Sequence, residues 1–269
     1  MATGFTAYFL ETYVLPQFQG AGSTAPDFWT LDLTSDIPMP DGTATPLTAG
    51  VAPGYAQLTI DAVPAEWEFV GGNRTMGNKV IKLFPKANGG SWPSVQGFVI
   101  GDGASPCIFG HVSQGGRIID DTQRFKILPQ GMQIRIPETQ RFASDAFCAL
   151  VLGLLQGNNI TALTTYDIDF GTADPTATGD INRLTSAGYA PLTVTAASDM
   201  GVPAARQVLN TAEFDHLRMF TTEVDIESIK SAELSVGGTP WLRGPLTAPI
   251  SLKAYDNPRI EIGALAIKG

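Results

Sequence analysis

Histidine is the side chain most often used for proton transfer near neutral pH, and this chain carries two, His111 and His216. A Ser-His-Asp arrangement could assemble around either from distant positions, yet no Gly-x-Ser-x-Gly elbow is present. The two histidines also fall at unmatched positions of the repeat described below, so structural or surface roles are expected for both. Paired carboxylates could serve glycoside hydrolysis. The obvious pair, Asp120-Asp121, is adjacent in sequence, so a strand would send the two side chains to opposite faces and a loop would leave them as solvated turn residues. The aspartates in 36–41 and 174–180 lie in loops, but neither loop has the spacing that gathers the six to eight oxygens of a calcium site. Zinc has no Cys/His cluster to bind it, and no glycine-rich phosphate loop occurs. No catalytic, metal-binding or cofactor-binding residue is expected. Four tryptophans remain. Trp29 lies in an apolar strand and Trp241 between Pro240 and Leu242, both core settings. Trp67 (Pro-Ala-Glu-Trp-Glu) and Trp92 (Gly-Gly-Ser-Trp-Pro) lie in loop-like surroundings and are the candidates for protein or glycan contact.

The elements that would position such residues are short strands. Glycine (29) and proline (19) are plentiful, charged residues make up 16 % and hydrophobic residues 43 %, a mixture that suits strands joined by turns better than long surface helices. The net charge of −9 is spread over the chain with no clustered Lys and Arg, which argues against nucleic-acid binding through phosphates. The longest apolar run, 146–155, is about half of the roughly 20 residues a membrane span needs, and the opening Met1–Tyr8 lacks the pattern of a secretion signal. Cys107 and Cys148 both sit in apolar stretches and are expected to be buried free thiols, as in a protein made in a reducing cytoplasm.

The sequence repeats itself. Gly54-Tyr55-Ala56-Gln57-Leu58-Thr59-Ile60 matches Gly188-Tyr189-Ala190-Pro191-Leu192-Thr193-Val194 at a shift of 134, which also carries Pro106 onto Pro240 and Gly110 onto Gly244. At a shift of 137, the segment 15–20 falls on 152–157 and Leu31-Asp32-Leu33 on Ile168-Asp169-Phe170. The expectation is a tandem duplication into domains 1–138 and 139–269, mainly β. Each would be an antiparallel sandwich or barrel-like domain preceded by a short apolar helix. The first helix should span 5–19, be kinked or shortened by Pro16 and end at Gly20. The second should start at Ser144 or Asp145, run over 146–156 and stop at Gly157. Strands are expected at 29–33, 57–63, 79–84, 95–100, 107–111, 124–128 and 133–136. In the second half they are expected at 166–170, 192–196, 216–220, 232–236, 241–243, 250–254, 259–262 and 264–267. The stretch 71–78 reads as a loop to be ordered by neighbours.

The run Leu31-Asp32-Leu33-Thr34-Ser35-Asp36-Ile37-Pro38, a Thr/Pro/Gly loop, then Gly54-Tyr55-Ala56, with Gly97-Phe98-Val99-Ile100-Gly101-Asp102 later, resembles a group of small tailed-bacteriophage virion proteins of decoration or tail-fibre type. The second half keeps 169–175 and Gly188-Tyr189-Ala190, with a degenerate late strand. The resemblance implies a non-enzymatic virion component, made in the host cytoplasm. The leading expectation is a capsid decoration (cement) protein that contacts the major capsid protein or other virion proteins and forms a homo-oligomer, without nucleic acid, membrane or cofactor. A tail or fibre-adaptor protein is the second expectation, and a glycan-binding module for the bacterial surface, resting on Trp67 and Trp92, the third.

Overall fold

The structure, a computed structural model, describes residues 3–39, 43–111, 116–137, 143–175, 181–185, 189–214, 226–252 and 259–268. It is mainly β with antiparallel sheets, of sandwich type. In the first half run β1 (Thr3–Phe5), β2 (Phe28–Thr34), β3 (Leu58–Asp61), β4 (Trp67–Phe69), β5 (Thr75–Asn78) and β6 (Lys82–Lys86). They are followed by β7 (Trp92–Val95), β8 (Gly97–Gly101), β9 (Pro106–His111), β10 (Arg117–Ile119), β11 (Arg124–Ile127) and β12 (Gln133–Arg135). The second half contributes β13 (Thr165–Gly171), β14 (Leu192–Thr195), β15 (Gln207–Leu209), β16 (Ile226–Val236), β17 (Thr239–Leu252) and β18 (Ala266–Lys268).

Two compact units form, and neither is a contiguous half. One holds Met1–Val14, Thr24–Ile136 and Leu150–Ile160; the other holds Leu15–Ser23, Pro137–Ala149 and Thr161–Gly269. The expected split into 1–138 and 139–269 therefore differs from the observed units by an exchange of two short segments. Those segments are the very pair matched in sequence at a shift of 137.

In the first unit a sheet in the order β1-β9-β8-β2-β3 carries the core. Trp29, Leu31 and Leu33 on β2 are all fully buried, because β2 is a central strand between β8 and β3. Phe9 and Tyr13 pack against Trp29 with ring centroids 6.4 and 6.0 Å away. A second aromatic group joins Tyr55 to Phe84 (5.9 Å) and to Trp92 (5.3 Å, edge-on), with Phe125 beyond Phe84. Around these lie the ribbons β10-β7 and β11-β6 and the small sheet β12-β5-β4. The second unit repeats the central order, β14-β13-β16-β17, beside the pair β15-β18. The β16–β17 hairpin turns on Gly237 (φ +55°) and Gly238 (φ +78°), the left-handed pair a two-residue hairpin loop of this twist requires.

The opening helix is shorter and less regular than expected. Thr6 caps a single α-helical turn, α1 (Ala7–Phe9), which becomes a π turn over Leu10–Val14 and a 3₁₀ turn over Leu15–Gln19. Pro16 supplies no N–H to a regular i→i−4 ladder, and the change of winding falls at that point. The second helix, α2 (Asp145–Gly153), begins after Ser144 and passes into a 3₁₀ turn over Leu154–Gln156 closed by Gly157 in the left-handed region, as the sequence suggested. A short helix α3 (Ala196–Asp199) follows β14.

Several strands differ from expectation. The stretch taken as a loop, 71–78, ends in β5, with Met76, Gly77 and Asn78 buried between β4 and β12. The strand expected at 79–84 starts later, at Lys82, because Asn78 Nδ2 donates to the Val80 carbonyl and bends the chain there. The strand expected at 241–243 and residues 250–252 of that expected at 250–254 belong to one long strand, β17, whose register shifts along its pairing with β16, and 253–254 lie outside the described residues. The expected strand 216–220 lies outside the described residues. A strand expected at 259–262 is only an isolated bridge between Ile260 and Phe214.

Candidate functional site

Trp67 and Trp92 do not form a contact surface. Each opens a strand, β4 and β7, and each is fully buried. Trp92 donates its indole N–H to the Pro53 carbonyl at 2.8 Å while its ring stands against Tyr55. The Trp67 carbonyl accepts from Gln156 Nε2 at 3.0 Å. Flanking Gly, Pro and Glu made these surroundings read as loops, whereas the large rings are what anchor those short strands in the core. The aromatic platform a glycan reading would need is therefore not supplied by them. His111 ends β9, and His216 lies outside the described residues. Cys107 and Cys148 are buried and in no disulfide, and burial pushes the Cys107 thiol well above its ordinary value. Among the described residues, no group of three or more His, Cys, Asp or Glu is placed to hold a metal ion.

The polar residues the structure does bring together form matched networks in the two units. The first surrounds the Gly-Tyr-Ala tyrosines. Tyr55 Oη accepts the Leu33 N–H at 2.8 Å and donates to Asp32 Oδ1 at 3.0 Å. Tyr189 Oη accepts the Phe170 N–H at 2.8 Å and donates to Asp169 Oδ1 at 3.2 Å. Burial pushes both phenols above the ordinary tyrosine range, so they stay protonated donors.

A second pair was not read from the sequence. Asn78 Nδ2 donates to Val80 O (2.9 Å) and Leu128 O (2.8 Å), and its Oδ1 accepts the Met132 N–H (2.9 Å). Asn210 Nδ2 donates to Ala212 O (2.7 Å) and Glu261 O (2.9 Å), and its Oδ1 accepts the Leu265 N–H (2.9 Å). Each asparagine staples a chain reversal to the strand entering it, and both are buried. The pairing next to each is also the same: Gln133↔Gly77 and Ile134↔Met76 on β12–β5, Ala266↔Leu209 and Ile267↔Val208 on β18–β15. A lone Asn in Gly-Asn-Lys and in Leu-Asn-Thr carries no local signal of this role.

Helix starts repeat the pattern. The Thr6 N–H donates to Cys107 O at 2.9 Å and its hydroxyl caps Phe9 N at 3.1 Å; the Ser144 N–H donates to Trp241 O at 2.8 Å and its hydroxyl caps Phe147 N at 3.2 Å.

The units differ in two clusters. Asp102, in the turn between β8 and β9, accepts from Tyr8 Oη (2.8 Å), Tyr13 Oη (2.7 Å) and the N–H groups of Ala104 and Ser105 (2.9 Å each). Burial works to raise this carboxyl, but the bonds from Tyr13, Ser105, Tyr8 and Ala104 outweigh it and hold it below the usual carboxylate range. On the second unit's sheet, Asp169, Glu233 and Arg243 stand in register across β13, β16 and β17, where the first unit has Asp32, Val99 and Phe109. Glu233 is buried, and its two carboxylate oxygens are taken by Arg183 and Arg243. Burial raises the Asp169 carboxyl, opposed by Arg183 at 3.7 Å and by Tyr189. A cleft of about 490 Å³ opens beside this row, walled by Ile168, Leu234, Leu242 and Ile267.

In each of these networks the polar groups hold backbone or one another. Residues 144–268 match the family model described as Podophage GP4 fiber I protein gp80. The match covers less than half of the chain, and no curated protein matches it. This likeness supports a phage structural protein of tail-fibre type, and so bears on the fibre expectation more directly than on capsid decoration. Among the described residues, no helix is long and apolar enough to cross a membrane.

Proposed function

We propose that this chain is a structural component of a tailed-phage virion, of tail or fibre type, built as a tandem duplication of one β unit. The observation that carries the reading is the match of residues 144–268 to a podophage fibre protein family. The duplication draws support from the Tyr55/Tyr189, Asn78/Asn210 and Thr6/Ser144 networks, whose partners correspond one by one at shifts of 132 to 138 residues. Its partners are other virion proteins and further copies of itself, and it acts by binding rather than by chemistry.

The test is to separate purified virions into heads and tails and to quantify the chain in each by mass spectrometry. Enrichment with tails is the expected result. Enrichment with heads would return the capsid-decoration reading, and absence from both fractions would overturn a virion role altogether.

A further inference from the structure

The two units differ in how they fill one part of the core. In the first, Phe98 on β8 is buried beside Leu33 and opposite Gly110, so a phenyl ring stands where the facing strand has no side chain. In the second, the corresponding pair on β16 and β17 is Ala232 opposite Gly244, beside Phe170. Another ring is absent nearby: Phe5 stands opposite Ile108 and stacks on Phe9 at 4.9 Å, whereas Ala143 stands opposite Leu242. Burial follows this loss. Ile108 and Met132 are fully buried, while Leu242 and Leu265, in the corresponding places, are half-buried.

The cleft of about 490 Å³ lies at this place, lined by Ala232 and Gly244 together with Ile168, Leu234, Leu242 and Ile267. Its volume suits more than a single ring. Glu233 and Arg243, which also line it, are paired with one another, so recognition there rests on apolar contact. The first unit shows what chemistry completes such a row: an uncharged aromatic ring. One ring of that kind is available on the outside of the molecule. Phe28, the first residue of β2, is 42 % exposed, and every other aromatic side chain among the described residues is buried or half-buried. It stands opposite Asp61 at the start of the β2–β3 pairing, and Val63, two residues beyond Asp61, is exposed as well. An exposed ring and an unfilled apolar cleft on one chain make a complementary pair.

We infer that Phe28 of one copy of this chain inserts into the cleft at Ala232 and Gly244 of a second copy. The ring then takes the place that Phe98 fills within the first unit, and the contact buries the one exposed aromatic side chain among the described residues. Because ring and cleft are different patches, the contact is heterologous: it repeats head to tail and ends in a ring of subunits or an open array instead of stopping at a dimer. The inference does not rest on where in the virion the protein sits.

Sedimentation velocity of the full chain over a range of concentration and salt tests it. The wild type should form assemblies beyond a dimer, and because the contact is apolar they should persist as salt rises. Phe28→Ser removes the ring, and Ala232→Phe fills the cleft with the residue type the first unit carries at that place. Each should be monomeric alone with an unchanged circular dichroism spectrum, and Ala232→Phe should melt no lower than the wild type. An equimolar mixture should give dimers and nothing larger, since one variant keeps only the cleft and the other only the ring. Ala232→Leu is a second, smaller filling and should behave in the same way. A wild type that stays monomeric at every concentration, variants that assemble like the wild type, or a mixture that remains monomeric would overturn the inference. Head and tail fractionation reads the virion address separately, so either reading can fail alone.

Discussion

A buried hydroxyl or amide that satisfies several backbone groups costs most when it is removed, because its partners keep their desolvation penalty without a bond. Tyr55→Phe and Tyr189→Phe should each destabilise the protein by about 1–3 kcal/mol in urea unfolding, since each strands a main-chain N–H and a carboxylate partner. Asn78→Ala and Asn210→Ala remove three bonds each and should cost at least about 2 kcal/mol. Similar costs at the two members of each pair are expected; a tyrosine or asparagine replaced without effect would contradict the role assigned to it. Asp102 gives a dependence on pH. Its folded pKa is depressed, so its contribution is fully present above the unfolded value of about 3.9 and is lost as pH falls through the folded value. The difference in melting temperature between wild type and Asp102→Asn should therefore be constant near neutrality and shrink below about pH 4. A difference that grew on acidification would contradict the bonds from Tyr8 and Tyr13.

At the level of elements, the matched segments 15–20 and 152–157 each pack on the unit that holds the other half's strands. Gly157 (φ +81°) lies so close to the first unit that an added Cβ would stand 2.3 Å from Ala62 O; Gly20 (φ +83°) leaves 3.1 Å to Ala197 N in the second. Both positions penalise a side chain through backbone conformation alone, by about 1–3 kcal/mol. Gly157→Ala adds a clash with main chain and should lower the melting temperature more than Gly20→Ala. The reverse order would contradict the close seating of 150–160. Much of this level was legible in sequence. Leu31-Asp32-Leu33 and Ile168-Asp169-Phe170 announced the central strands, Gly20 and Gly157 the helix ends, and Ser144 a cap. Two short strands, Trp67–Phe69 and Thr75–Asn78, were not legible, because they are too short for a period and sit among turn residues. The Asn78 and Asn210 staples were illegible for another reason: two of the three partners of each lie 50 to 55 residues away in sequence.

For the whole molecule, repetition in sequence pointed to two contiguous domains, but each observed unit includes a segment from the other half. Only long-range contacts reveal such an exchange. The exchange predicts that the halves depend on each other. A protease site introduced between Pro137 and Ala143, once cut, should leave the two fragments together on gel filtration until denaturant is added; fragments that part under native conditions would contradict it. The proposed virion role rests on the likeness of the second half to a phage fibre protein family. The most direct test of that account is electron cryomicroscopy of the virion. It predicts density in the tail or its fibres that accepts both β units of this chain. Density that accepts them only on the capsid surface, or nowhere on the particle, would contradict it.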